Sequence, residues 1–214
     1  LVFRMDAVSV LGDYDKEPRQ IVMLSGLKRG RNIFTIDREE VARAMAQDHT
    51  LIFEGMQIEY PGTVYLFVRQ RYPVAVMRWL GNQYELDEAG MVMTETSTMS
   101  LPEDMPLITG FRVTNVHEGQ MVSVRVSKQM EAYQAILSEL TLQMYRDQVT
   151  EINLSDPSNI YLITAEGISV RLGDFSYMQA KIGAVRTDVA YLRQLGKTSG
   201  VLDVSIPEEG KFMP

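Results

Sequence analysis

The 214-residue sequence contains no cysteine, which excludes a disulfide framework and any thiolate metal site. That absence sits easily with an extracytoplasmic bacterial protein. Histidine is nearly missing too. His49 and His117 are the only two; they lie far apart, one near an expected helix end and one beside a glycine turn, so a two-histidine metal centre has little to be built from. No run of about 18 apolar residues exists to read as a membrane helix. Basic residues are in deficit. Against 28 Asp and Glu there are 21 Lys and Arg, a formal charge of -7, which argues against a nucleic-acid binder because phosphate contacts need a surplus of cations. The one local basic patch, Lys28-Arg29-Gly30-Arg31, reads as a solvated turn between two helices. No HExxH, CxxC, GxSxG or GxxxxGK[ST] motif occurs, and no cofactor is implied. The first residue is Leu and not Met, which predicts that something precedes it in the full protein.

What is present is the composition of a folded protein, 45% hydrophobic and 23% charged, at a length that allows one large domain or two ordinary ones. Met56–Gly90 organises the rest. Met56, Ile58 and Tyr60 alternate with polar residues, Pro61-Gly62 predicts a type II turn, and Val64, Leu66 and Val68 line one face of the return strand Thr63–Arg71. Pro73 then removes a ladder donor, which suits a strand end, and Val74–Trp79 resumes an extended pattern. Two units meet here.

Before that junction, Phe3–Leu11 alternates as a strand ended by Gly12-Asp13. A short helix opens at Glu17-Pro18, buries Ile21, Val22 and Leu24, and stops at Ser25-Gly26. A second helix starts with Asp37 and Glu40 in a reciprocal capping arrangement, stapled by Ile36 and Val41, and turns Val41, Ala44 and Met45 inward. The order strand, helix, helix, strand, strand describes a small α+β module over residues 1–72. Beyond it, Val74–Trp79, Tyr84–Asp87 and Met91–Glu95 read as a meander, Thr94–Ser100 as a polar loop, and Leu101–Gly110 as turn chemistry around two prolines. Phe111–Val116 and Met121–Val126 are weaker strands. A helix from Ser127 carries Met130, Tyr133, Leu137, Leu140 and Met144 on one stripe, beside Ile136. A second meander follows at Val149–Leu154, Ile160–Thr164 and Ile168–Leu172. The last helix, Ser176–Leu195, has Met178, Ile182, Val185, Val189, Leu192 and Leu195 at spacings of three and four, and a final strand, Val201–Ile206, precedes a polar tail, 207–214.

Catalytic constellations are missing. Asp87-Glu88, Asp104 and Asp174 stand near turns, where capping explains each, and nothing selects a pair for acid–base work. The 14 methionines fit core filling, since Met45, Met130, Met144 and Met178 fall on predicted buried stripes. An interaction surface is the remaining reading. If Val201–Ile206 is a sheet edge, a partner strand can add to it, with five or six main-chain hydrogen bonds each contributing about 0.5–1.5 kcal/mol net; the pattern equally allows an interior strand or an edge covered by the tail.

The ordered residues also resemble a known family. Val8-Ser9-Val10-Leu11-Gly12, Leu24-Ser25-Gly26-Leu27, Tyr60-Pro61-Gly62-Thr63-Val64, Val68-Arg69-Gln70-Arg71, Pro73-Val74-Ala75 and Tyr84-Glu85-Leu86-Asp87-Glu88-Ala89-Gly90 are followed by Leu107-Ile108-Thr109-Gly110, Glu166-Gly167, Val170-Arg171-Leu172-Gly173 and Val201-Leu202-Asp203-Val204. Together they are similar to the extracytoplasmic region of the bacterial division proteins FtsQ and DivIB. The resemblance implies an α+β architecture: an N-terminal POTRA module (β-α-α-β-β, 1–72), then a larger, mostly antiparallel β domain (73–206) carrying two amphipathic helices. It implies a non-enzymatic divisome scaffold, anchored in the cell membrane by a single span upstream. Its partners would be FtsL and FtsB (or DivIC), and it would help place and regulate septal peptidoglycan synthesis. By matching position it puts partner docking on Val201, Leu202, Asp203, Val204, Ser205 and Ile206. The acidic Pro207-Glu208-Glu209-Gly210 departs from the family, so side-chain details of docking do not carry over. Two alternatives stay open: a POTRA-bearing protein of outer-membrane assembly or secretion, and an extracytoplasmic enzyme or ligand binder with a deep polar pocket in the second unit.

Overall fold

Val64, Leu66 and Val68 are fully buried and alternate with half-buried Tyr65 and Phe67, the period-two pattern of a strand with one face on a core. In the computed structural model, which describes residues 3–97 and 100–214, this strand is the centre of the first of two compact units, Leu1–Tyr72 and Pro73–Pro214. The first unit runs β1 (Ala7–Asp13), α1 (Pro18–Leu24), a one-turn 3-10 helix at Ile33–Thr35, α2 (Arg38–Met45), β2 (Leu51–Glu59) and β3 (Thr63–Gln70). The sheet order is β1-β3-β2. β3 forms an antiparallel hairpin with β2 and lies parallel to β1; a parallel pair requires a crossover, which the helices and β2 supply. Ile21 from α1 and Val41 and Met45 from α2 close the core over β3, with Met5, Ile33 and Leu51. Each such side chain contributes roughly 1.5–3 kcal/mol by leaving water.

Three local expectations are corrected. Gly12 and Asp13 do not end the first strand. They continue β1 because they pair with Val68 and Arg69 of β3, while Phe3–Met5 pairs with the 31–33 segment, Met5 N donating to Arg31 O at 2.8 Å and Ile33 N to Phe3 O at 3.1 Å. The Pro61-Gly62 turn is not type II, because Gly62 lacks the positive φ that type II requires. Glycine is needed at 62 for another reason, since the Arg4 carbonyl and the Asp6 carboxylate occupy the space a Cβ would take. Asp37 caps α2 by accepting from Glu39 N at 2.9 Å. Glu40, however, pairs with Arg31 at 2.9 Å and does not reach back, so the box is half formed.

The second unit opens with the meander β4 (Ala75–Trp79), β5 (Asn82–Leu86) and β6 (Val92–Thr96). Within the expected loop Thr94–Ser100, Thr94–Thr96 belong to β6 and Thr98 and Met99 lie outside the described residues. Leu107–Thr109, expected as turn, is strand β7, parallel to β4 on one side and to β10 on the other. The two weaker strands shorten to a separate ribbon, β8 (Val113–Asn115) and β9 (Ser123–Val124). Then come α3 (Ser127–Leu142), β10 (Val149–Asn153), β11 (Ile160–Thr164), β12 (Ser169–Gly173), α4 (Met178–Gln194), β13 (Val201–Asp203) and β14 (Lys211–Met213). The nine-stranded order is β14-β13-β12-β11-β10-β7-β4-β5-β6, and it is mixed: β4, β7 and β10 form a parallel centre, and β12 and β13 a second parallel pair around the α4 crossover.

One sheet face is buried under α3 and α4, whose stripes bring Tyr133, Ile136, Leu137, Leu140, Ile182, Val185 and Val189 into one core with Ile152, Leu162, Val170 and Leu202. Two expected stripe members leave it. Met144 lies beyond the end of α3 with φ 50° and 88% exposure, and Leu195 caps α4 at 55% exposure; each falls where the helix stops, so the spacing no longer aims the side chain. Two polar residues enter instead. Gln129 and Lys181 are 1% and 2% exposed. Among the described residues no helix is long and apolar enough to cross a membrane.

Candidate functional site: the C-terminal margin of the second sheet

The strand expected at Val201–Ile206 is β13, Val201–Asp203, and it is not an edge. It is parallel to β12, with Val170 opposite Leu202, and antiparallel to β14, with Leu202 opposite Phe212. The chain's own last residues, expected as a polar tail, form a 3-10 turn (Pro207–Glu209) and then β14, and so cover the edge. The outer margin is therefore Lys211–Met213.

Side-chain chemistry fixes this corner firmly. Leu202 and Val204 are buried in the core and Phe212 packs against it. Asp203 turns the chain out of the strand: its Oδ1 accepts from Ser205 N at 2.9 Å and from Ser205 Oγ at 2.6 Å. Arg171 on β12 donates to Asp203 Oδ2 at 2.9 Å and to Asn159 Oδ1 at 2.8 Å, tying β13 across the sheet to the β10–β11 loop. Partial burial pushes the Asp203 carboxyl up, but the Ser205 hydroxyl and amide and the Arg171 guanidinium outweigh it and hold Asp203 below the usual carboxylate range. Of the six predicted residues, Leu202 and Val204 serve the core and Asp203 and Ser205 the corner. Ile206, at 55% exposure, is the one largely open to solvent.

The register determines what the margin offers. Ser169 N donates to Gly200 O and Val204 N to Arg171 O. Alternate residues of a strand turn their backbone groups to opposite sides, so positions 200, 202 and 204 face β12 while Val201 and Asp203 face β14. Val201 then exchanges bonds with Met213 and Asp203 with Lys211, and Phe212 presents its N–H and C=O outward. The five or six bonds expected for a long edge reduce to this pair. Phe212 and Met213 were missed because a three-residue strand after Gly210 carries almost no periodic signal.

Of the other candidates, Asp87 and Asp174 serve turns. Asp87 accepts from Met91 N at 2.6 Å within a turn. Asp174 caps the start of the α4 region, accepting from Ser176 Oγ at 2.5 Å and from the buried Lys181 Nζ at 3.0 Å; the Ser176 hydroxyl and Lys181 hold its pKa down at about 2. His49 belongs to the first unit and His117 to the second. Among the described residues no three His, Asp or Glu side chains gather to hold a metal ion.

The family profile described as cell division protein FtsQ/DivIB, C-terminal, matches residues 75–204, well over half of the chain, from the first residue of β4 to just past β13. The chain belongs to the FtsQ/DivIB family of cell division proteins. Among curated FtsQ proteins it is 29% identical over 175 residues to that of Myxococcus fulvus, covering 80% of this chain and 59% of that protein. It is 25% identical over 177 residues to the FtsQ of Syntrophotalea carbinolica, covering 82% and 61%. The chain thus spans about three-fifths of the length of the curated FtsQ relatives it matches. A solved major extracytoplasmic domain of DivIB from Geobacillus stearothermophilus aligns with a TM-score of 0.37 at 15% identity, over 58% of this chain and 96% of that domain. β14 lies beyond the span that the FtsQ/DivIB profile matches.

Proposed function

We propose that this FtsQ/DivIB chain is a non-enzymatic scaffold of the division machinery on the extracytoplasmic side of the cell membrane, with the first unit a POTRA-type domain. In this reading it captures short bitopic partners of the FtsL and FtsB or DivIC kind at the C-terminal margin of its second sheet. The observation that carries the docking site is the outward-facing Phe212 N–H and C=O at the end of the nine-stranded sheet. A partner strand laid against β14 gains two main-chain bonds, together about 1–3 kcal/mol. Displacing β14 from β13 would give up as many bonds as it formed, so addition outside β14 is the favoured geometry. With so few main-chain bonds, affinity must come mostly from side chains, and exposed Ile206 and Met213 supply apolar contact beside the strand.

The test is a benzophenone amino acid at Met213, with the same group at Glu95 on the opposite edge strand β6 as comparison. Irradiation with the partner's extracytoplasmic segment is expected to cross-link from position 213 and not from 95. Cross-linking from 95 alone would overturn the assignment.

A further inference from the structure

Three aromatic rings meet on the surface of the first unit. Phe3 stands edge-on to Phe34 with centroids 5.4 Å apart and to Tyr60 at 6.0 Å, and Phe34 and Tyr60 are themselves 6.0 Å apart. Phe34 is 64% and Tyr60 62% exposed. Such rings normally end up inside, and here the backbone holds them out. Asn32 Oδ1 accepts from Phe34 N at 3.0 Å and fixes the 3-10 turn that carries Phe34, while Tyr60 follows the last residue of β2.

Cations lie on the backbone segments next to those that carry the rings. Arg4 follows Phe3 and bridges to Asn32. The Lys28–Arg31 turn is pinned to the same segment, Gly30 N donating to Met5 O and Met5 N to Arg31 O, both at 2.8 Å. Arg31 is engaged by Glu40, whereas Arg4, Lys28 and Arg29 are exposed. Arg29 also borders an apolar groove of about 470 Å³ between β1 and α1, with Arg19 on its rim and Met23, 81% exposed, on its lip. Asp6 lines that groove as well. In a chain of formal charge -7, three exposed cations fall at this end of the first unit, beside Asp6 and the Glu59 that precedes Tyr60.

We propose that this end of the first unit docks on an anionic lipid surface, the rings of Phe34 and Tyr60 entering the interface and Arg4, Lys28 and Arg29 meeting phosphate headgroups. Aromatic rings favour the water–lipid boundary, and basic residues close to an anionic leaflet add attraction that falls off within a Debye length. Phe34 and Tyr60 are both mostly exposed, which suits a broad fluid surface, and the net charge of -7 disfavours a nucleic-acid strand.

The test is co-sedimentation of the 214-residue chain with phosphatidylglycerol–phosphatidylcholine vesicles, against pure phosphatidylcholine vesicles. Binding is expected only to the anionic vesicles and is expected to fall as salt is raised. Losing one such cation weakens binding about five-fold, so Arg4→Ala, Lys28→Ala and Arg29→Ala together weaken it about a hundred-fold. Phe34→Ser with Tyr60→Ser is expected to abolish it. Thermal unfolding matching the parent verifies that the variants are folded, and single Lys28→Ala and Arg29→Ala variants, on an exposed turn, repeat the test if the triple variant is not. The proposal is overturned if the parent ignores anionic vesicles, if the charge variants bind as well as the parent, or if soluble glycerophosphate or single-stranded DNA competes as effectively as added vesicles.

Discussion

Replacing Gln129 with Ala is expected to destabilise the second unit by about 3–5 kcal/mol. Gln129 sits in the first turn of α3 at 1% exposure. Its Oε1 accepts from Arg112 N at 3.0 Å, and its Nε2 donates to Gly110 O at 2.7 Å and Leu154 O at 2.8 Å. One amide thus joins the exits of β7 and β10 to the helix that covers them. Alanine removes all three bonds, each worth about 0.5–1.5 kcal/mol net, and leaves two carbonyls and one N–H in a region where an unsatisfied group costs about 1–3 kcal/mol; partial water access keeps the total below the simple sum. Trp79 on β4 is the only tryptophan, so its fluorescence follows the second unit alone during urea unfolding. With a slope of about 2 kcal/mol per molar urea, the midpoint is expected to fall by about 2 M. A fall of less than about 0.5 M would refute the idea that these bonds hold the parallel centre together.

Further outcomes follow from single contacts. Asp37→Ala is expected to cost the first unit about 1 kcal/mol through the lost cap, while Glu40→Ala costs less because only its surface ion pair with Arg31 is lost; equal losses in thermal melts would revive a full capping box. Gly110→Ala is expected to be far worse than Gly81→Ala. Both glycines have positive φ, but a Cβ at 110 runs into the Ser155 backbone while one at 81 meets open space, so Gly81→Ala costs only about 1–2 kcal/mol. Urea midpoints of the two variants decide. Asp174 has a folded pKa of about 2, depressed from its ordinary value, so the stability it contributes is full above about pH 4. It is lost as pH falls toward 2. Lys181→Met removes one of the two causes and is expected to raise the Asp174 midpoint in an NMR titration, narrowing that window; an unmoved midpoint would leave Ser176 as the sole cause.

The legible parts of the fold were those whose pattern outlasts a few residues. α4 was readable because Met178, Ile182, Val185, Val189 and Leu192 repeat over several turns and all are buried, and β3 because Val64, Leu66 and Val68 alternate without interruption. β7 was not. Its three residues follow Pro102 and Pro106 and precede Gly110, so local turn chemistry outweighed a strand that exists only because β4 and β10 flank it. The burial of Lys181 carries no signal in the sequence, because a charge on a helix is usually solvated; the Asp174 carbonyl and carboxylate that draw it inside come from a loop seven residues earlier. The docking strand shows the same division. Val201-Leu202-Asp203 was readable as a strand, but being an edge is a property of its neighbours, and β14 is set beside it by pairing and by Phe212 packing on the core.

The amide of Phe212 tests the central claim most directly. Its hydrogen exchange, followed by NMR with and without the extracytoplasmic segment of an FtsB- or DivIC-type partner, is predicted to slow markedly on binding, while the amides of β6 at the opposite edge stay unchanged. Binding that leaves Phe212 exchange untouched and protects β6 would contradict strand addition at the C-terminal margin.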